Sequence, residues 1–552
     1  MLLPDVLRER ARTAPAATAY VFLDEHGAET AALTYAGLDL RARAVAARLA
    51  AVAGPGDRAL LAFPPGLDFV VAFFACLYAG VIAVPVQPPR RGRAHPALPG
   101  IVADCAPAVL LTVAGLDIGL PVPASIAVDA VPAHGPALDP RPRTGDDPAF
   151  LQYTSGSTGA PKGVVVTHRN LTANQEMIRA AFGHDARSTF VGWAPLHHDQ
   201  GLIGNVLQPL YLGAPCVLLA PLTFIRRPLL WPTAIARYRA HTSGGPNFGF
   251  DACVAHAAKA GVPAGLDLSS WRVAFNGAEP IRAETLRRFA ETFAPYGFDP
   301  GALYPCYGLA EATLLVSGSV PGRGPRELRA SSAALAAGTL RAAEPGEPGR
   351  ELVGSGRPAP GVRIRIVDPE TGQPCPAGRI GEILVAGAHV AAGYWRNPGA
   401  TAAGFGPGGL RTGDLGQFAD GELYVTGRCR DLIIVRGRNH YPHDLEHTAQ
   451  AAHPAARAGG SAAFTAGRDD HVVLVQEVER GTPPSAAAEI AGAVRAALLR
   501  DHELAPGALV LTVAGALPKT SSGKIMRSAA RAHHLGAGFE RWGDPPVKPA
   551  AR

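Results

Sequence analysis

The sequence predicts an α/β protein: a large N-terminal domain of layered α/β and β-rich parts, then a small separate α/β domain. Three observations carry this. Helical and strand-like segments alternate up to about residue 145, β signals dominate after about residue 355, and residues 430–552 hold a strand–helix–strand set of their own. The boundary is placed at 429/430, and 552 residues are enough for several domains.

In chain order, "YAGLDLRARAVAARLAA" spaces its apolar residues as a helix does, whereas "RALLAFPPG" and "PAVLLTVAG" are short apolar runs closed by turn residues. The stretch 69–89, "FVVAFFACLYAGVIAVPVQPP", is the one membrane suspect. Gly80 and a Pro cluster divide it, which predicts a buried helix feeding a buried strand and no span. "GVVVTH" predicts a strand and "NLTANQEMIRAAF" a helix. "WRVAFNGAEP" predicts a strand and turn, and Leu286, Phe289 and Phe293 mark a helix through "IRAETLRRFAETF". Residues 316–355 read as a long irregular insertion. "VRIRIVD", "IGEILVAG" and "GELYVTGR" are strands, followed in the small domain by "DLIIVRG", "HVVLVQEV", the helix "AAAEIAGAVRAALLRDHEL" and "ALVLTV".

Hydrophobic residues make up 47% of the chain, enough for sizeable cores. The net charge of +6 is spread over scattered Arg residues, so nucleic acid is not an expected partner. Seven separated Cys fit neither a disulfide framework nor a zinc ribbon, and no apolar signal core opens the chain. The expectation is a cytoplasmic protein, monomer or homodimer, without a membrane span.

The stretch "TSGSTGAPKG" (154–163) has the composition of a phosphate-binding loop. Gly156 and Gly159 let backbone N–H groups approach an anion, and Thr154, Ser155, Ser157 and Thr158 add hydroxyl donors. It is not a Walker A loop, because Lys162 follows Pro161 and no hydroxyl follows the lysine. "HDLEH" (443–447) formally fits a zinc-peptidase pattern, but no third ligand is evident and Glu446 suits a structural role. "HHD" (197–199) is too contiguous to converge on one ion.

Further motifs follow in order: "FNGAEP" (275–280), "YGLAE" (307–311), "RTGDLG" (411–416), "GRCRDLIIVRGRNHYPHDLE" (427–446) and "LPKTSSGKIMR" (517–527). With the opening loop they resemble the acyl-adenylate-forming superfamily of acyl-CoA synthetases, luciferases and adenylation domains. The stretches 195–215, 243–254, 272–289 and 304–318 resemble its fatty acyl-AMP ligases in particular, and the insertion stands where those ligases carry one.

The resemblance implies ATP and Mg²⁺ as cofactors, a fatty or related carboxylic acid as substrate, and a phosphopantetheine-bearing acyl carrier protein, supplied in trans, as acceptor. It implies that the loop 154–159 with Lys162 holds phosphates, that Tyr307 stacks on adenine, and that Gly277, Ala278 and Glu279 line adenine and ribose. Gly308, Leu309 and Ala310 belong to the same nucleotide site, although Ala310 stands where the superfamily often has Thr. Asp414 is expected on the ribose hydroxyls, Arg428 on ribose or phosphate, Glu311 on Mg²⁺, and Lys524 as the catalytic cation. The resemblance also implies that the β-rich part of the large domain is a β-barrel subdomain and that the small α+β domain is mobile, with Arg430 as the expected hinge. His198 is expected to gate the acyl pocket, lined by Ile203, Gly204, Leu207, Asn247 and Phe248; Gln200 makes that pocket shorter or more polar than usual. The insertion is expected to restrain the small domain and disfavour free CoA. The rival readings are an acyl-CoA synthetase, an amino-acid adenylation enzyme, and a non-catalytic nucleotide-binding relative.

Overall fold

Parallel pairing of four short strands positions everything that follows. In the computed structural model, which describes residues 1–89, 95–154, 161–467, 471–520 and 523–542, Phe190–Gly192, Thr242–Gly245, Val273–Asn276 and Leu303–Gly308 lie side by side at the centre of a nine-stranded sheet. Their carboxyl ends open on one edge, the usual ligand-binding edge of a parallel sheet. Each runs straight into a motif: 193–200, 246–248, 277–280 and 308–311.

A second, six-stranded sheet contains Arg58–Ala62, Ile82–Val86 and Val109–Thr112. It ends in the antiparallel pair Pro148–Thr154 and Lys162–Thr167, in which Thr154 lies opposite Lys162. Residues 69–89 form the buried helix Asp68–Ala79 and the buried strand Ile82–Val86, with Gly80 turning the chain at φ 74°. Among the described residues no helix is long and apolar enough to cross a membrane. The predicted helix after "GVVVTH" is His168–Phe182. Thr167 caps it reciprocally with Asn170, and Gly183 ends it in the left-handed region. Leu286, Phe289 and Phe293 all face the core from the helix Ala283–Phe293, with Phe289 packed edge-on to Phe250 and Trp271.

The later β region is a five-stranded antiparallel sheet that includes Arg363–Val367, Gly381–Ala386, Gly409–Ala419 and Glu422–Arg428. The C-terminal segment forms a three-stranded sheet, Ala456–Ala466, His471–Val478 and Ala508–Val513, backed by the helices Pro442–Ala451 and Ala487–His502.

One expectation changes. The insertion is not irregular: Glu327–Ser331 and Gly349–Val353 pair antiparallel, and Ser331 caps the short helix Ser332–Ala336 between them. Each strand is only half apolar and the connection is rich in Ala and Gly, so the sequence gives little periodicity. The hairpin is held from outside, by a cluster in which Leu335, Leu340 and Leu352 pack with Tyr424 and Tyr441.

Candidate active site

The antiparallel register of two strands sets the first element. Asp414 lies opposite Arg428, and Arg428 Nε donates to Asp414 Oδ1 at 2.8 Å. Tyr307, at the end of its central strand, donates its hydroxyl to Asp414 Oδ2 at 2.7 Å. Each carboxylate oxygen thus holds one protein donor and keeps a further lone-pair direction. Burial and the Asp414 charge push the Tyr307 phenol well up, and the Asp414 carboxylate keeps Arg428 firmly protonated.

Gly308 sits where a Cβ would fall 1.8 Å from the Leu314 carbonyl oxygen, so only glycine lets the chain pass there. It leads through Leu309 into a turn of 3-10 helix, Ala310–Ala312, with Ala310 buried. That turn presents Glu311, whose Oε1 accepts from Tyr394 at 3.0 Å. Burial raises the Glu311 pKa, and among the described residues no basic side chain is within ion-pair distance of it. A buried oxygen donor of this kind fits a hard divalent cation, which would relieve that desolvation. Tyr394 also carries the Lys162 ammonium over its ring, 5.2 Å from the centroid. Lys162, Tyr394 and Glu311 therefore form one chain of contacts. Thr154 ends the strand before it; Ser155, Gly156, Ser157, Thr158 and Gly159 lie outside the described residues.

The 277–280 turn is backbone-driven. A Cβ on Gly277 would meet the Cys306 carbonyl oxygen at 2.8 Å, and Ala278 adopts φ 70°, a left-handed conformation that alanine seldom takes. Glu279 Oε1 accepts from both the backbone N–H of Asn247 at 2.8 Å and its Nδ2 at 3.0 Å. Asn247 in turn donates to the Pro280 carbonyl and accepts from the Arg282 N–H. Its side chain is thus engaged in fastening the turn. Phe248 is partly exposed and lies edge-on to Trp193. Ile203 and Leu207 are fully buried on the π-helical segment Gln200–Leu207, whose Gly204 faces Leu314. Wide π turns recur at functional sites.

His198 and Asp199 stand at the start of that segment. Burial lowers the His198 pKa, Asp199 opposes this, and Lys524 adds to it. The last contribution is informative, because Lys524 belongs to the C-terminal segment, 326 residues further on. Its loop is tight: Lys524 N donates to Thr520 Oγ1 at 3.1 Å and Thr520 N to the Lys524 carbonyl at 2.8 Å. Lys524 is exposed, yet partial desolvation lowers its pKa. Asp199, Glu279 and Asp414 pull the other way, with Arg428 adding to the lowering. Lys524 is thus within electrostatic reach of His198, Glu279, Asp414 and Arg428.

Arg430 is exposed at the chain's passage out of the five-stranded sheet, near enough to Tyr394 to stabilise its phenolate form. Next to it Asp431 accepts from Arg527 at 2.8 Å, and Arg527 also grips both oxygens of Glu446. Glu446 is thus a buried brace in the small unit, and His443 is engaged by Arg350 at 2.6 Å. Sequence reasoning missed Tyr394, Arg350 and the bond from Tyr307 to Asp414. Tyr394 lies in "AAGYWRN", where no spacing marks it.

A family model described as "AMP-binding enzyme" matches residues 7–395, and one described as "Disco-interacting protein 2-like, AMP domain" matches residues 430–540. The chain is 41% identical to the medium-chain-fatty-acid–[acyl-carrier-protein] ligase JamA of Moorena producens, over 98% of this chain and 96% of that one. Among solved structures, the fatty acyl-adenylate ligase of L. pneumophila, in complex with acyl adenylate and pyrophosphate, shares 38% identity at a TM-score of 0.76, covering 99% of this chain and 98% of that one. A further structure, from a study of fatty acyl-adenylate ligases of E. coli and L. pneumophila, reaches a TM-score of 0.88 at 33% identity, covering 97% and 98%. The chain belongs to the AMP-binding, acyl-adenylate-forming enzymes and, within them, to the fatty acyl-AMP ligases.

Proposed function

We propose that the protein condenses a fatty acid with Mg·ATP at this site and passes the acyl group to the phosphopantetheine thiol of a carrier protein. The observation that carries the reading is the Asp414 carboxylate held between Tyr307 and Arg428 at the end of a central strand, with Lys524 near enough to feel the charges of Asp199, Glu279 and Asp414. In the first step a carboxylate oxygen attacks the α-phosphorus, the α–β anhydride bond breaks, and pyrophosphate leaves. Two anions must meet, and a fixed ammonium between them offsets both their repulsion and the charge developing at the phosphorus. Desolvation lowers the Lys524 pKa, and the charges of Asp199, Glu279 and Asp414 oppose that lowering.

Asp414 takes the ribose hydroxyls on its remaining lone pairs, while Tyr307 and Arg428 keep the carboxylate oriented. Glu311 would help hold the Mg²⁺ that accompanies the nucleotide, an ion that would supply charge neutralisation at the phosphates. Thr154, Lys162 and the intervening loop contact the phosphates. Ile203, Gly204, Leu207 and Phe248 form the acyl wall, and Asn247 fixes its rim through Glu279.

In the second step the carrier thiol attacks the acyl carbonyl and AMP leaves. This needs Lys524 to withdraw by rotation about Arg430. The insertion supports a restrained rotation, because its hairpin packs on Tyr441 at the start of the small unit. With unrestricted access, free CoA would compete; with a restrained small unit, a docked carrier is favoured. The deciding experiment supplies ATP, Mg²⁺, a fatty acid, and either CoA or holo-carrier protein, and identifies the products by mass. Acyl-AMP and acyl-carrier are expected; rapid turnover to acyl-CoA overturns the choice of acceptor.

A further inference from the structure

The helix His168–Phe182 carries several buried carboxamides, and two of them are plainly structural. Asn170 donates to the carbonyls of Ala388 and Val390, and Asn174 exchanges hydrogen bonds with the backbone of Leu315. The next carboxamide, Gln175, behaves differently. Its Nε2 reaches the Ile203 carbonyl at a long 3.5 Å, and its Oε1 is buried without a hydrogen-bond partner among the described residues.

The turn it abuts is the one assigned above to the acyl wall; that turn carries Asn205, and Gln208 opens the short helix Gln208–Leu212 that continues it. Gln175 and Gln208 are 0% exposed and Asn205 2%. Asn205 Oδ1 and both amide atoms of Gln208 also lack partners among the described residues. The backbone makes room for this set: a Cβ on Gly192 would stand 2.4 Å from Asn205 Nδ2. A wall for a saturated chain needs none of this. Leu or Met of similar volume would avoid leaving amide groups stripped of water and unpaired.

We infer that the acyl cavity takes a carboxylic acid bearing a hydroxyl group along its chain, read by Asn205, Gln208 and Gln175. This rests on the placement of the acyl wall at Ile203, Gly204 and Leu207. The orphaned atoms number three oxygens and one nitrogen. A hydroxyl donates to an amide oxygen and accepts from Gln208 Nε2, whereas a keto oxygen satisfies only the nitrogen.

The test uses the full-length enzyme with ATP and Mg²⁺. Saturated acids compete with monohydroxy and keto acids of equal chain length, the hydroxyl being moved along the chain, and acyl-AMP is trapped as hydroxamate and identified by mass. At one hydroxyl position kcat/KM should exceed that of the saturated acid by about tenfold or more, with the keto acid between them. Gln208→Met and Asn205→Leu should reverse the preference. Because an unpartnered amide does not brace the fold, Gln208→Met should melt at or above the parent temperature. The hydroxy acid should raise the parent's Tm more than the saturated acid does, and this difference should vanish in the variant. A saturated acid preferred at every length and position, or a Gln208→Met variant that melts well below the parent, overturns the inference. If the parent adenylates no acid at all, the enzymatic reading falls, and the difference in melting shifts still decides whether this cavity reads a hydroxyl.

Discussion

Arg350 of the insertion hairpin and Asp444 of the C-terminal helix Pro442–Ala451 form an ion pair at 2.5 Å. Arg350 also bonds His443 and lies 5.4 Å over the Tyr441 ring. One side chain thus joins the insertion to three consecutive-turn residues of the small unit. Arg350→Ala should loosen that unit. Its expected signatures are faster limited proteolysis near residues 429–433 and a larger yield of acyl-CoA relative to acyl-AMP. Unchanged proteolysis and product ratio would remove Arg350 from any restraining role.

The same contact has a pH dependence. Burial pushes Asp444 up to about 6 from its ordinary 3.8, with Arg350 opposing. A raised folded-state pKa contributes folding stability that is complete below the ordinary value and is lost as pH rises through about 6. The parent's Tm should therefore fall between about pH 5 and pH 7. In Asp444→Asn that dependence should flatten.

Lys524→Ala should lower the rate of acyl-AMP formation by about a thousandfold, the scale of a lost electrostatic group at a developing anion. Thioester formation from supplied acyl-AMP should persist in part, because that half-reaction proceeds with Lys524 withdrawn. Single-turnover assays of each half separate the two, and equal loss in both would contradict the two-position reading.

Tyr307→Phe removes one donor from Asp414 and leaves Arg428 in place. A hydrogen bond to a charged group contributes about 1.5–3 kcal/mol, so KM for ATP should rise by roughly tenfold to a hundredfold. Asp414→Asn disturbs Tyr307, Arg428 and the ribose together and should cost more than Tyr307→Phe. Steady-state kinetics at varied ATP gives the comparison; equal effects would place the nucleotide elsewhere.

Acid should destabilise the fold through buried neutral histidines. Desolvation lowers His168, His389 and His502 to about 4 and His184 to about 3. A lowered folded-state pKa gives stability that is present above about 6.5 and is lost as pH falls toward the folded value. Full protonation of His389 alone corresponds to on the order of 3 kcal/mol. His389 is 0% exposed, with neither ring nitrogen partnered among the described residues. His389→Leu should therefore flatten the fall of Tm between pH 7 and about 4 without lowering Tm at neutrality.

Much of this protein was legible in the sequence because its signals are local. The helix His168–Phe182 announces itself by a capping Thr167 and a terminal Gly183. Leu286, Phe289 and Phe293 repeat at helical spacing, and the motifs from 154 to 527 appear in the order of a known family. The residue types fixed the chemistry: a hydroxyl-rich loop, a two-oxygen acceptor at Asp414, a lone cation at Lys524. Tertiary structure decided what depends on residues far apart in the chain. It brought Lys524 within electrostatic reach of Asp199 and Glu279, set Tyr307 on Asp414, and gave the insertion a fold by packing Leu335 and Leu352 on Tyr441. It also left Gln208 without a partner among the described residues while Asn174 is satisfied. Periodicity reports which face of an element is apolar, but hydrogen-bond partners and charge pairs are chosen only when separate elements pack together.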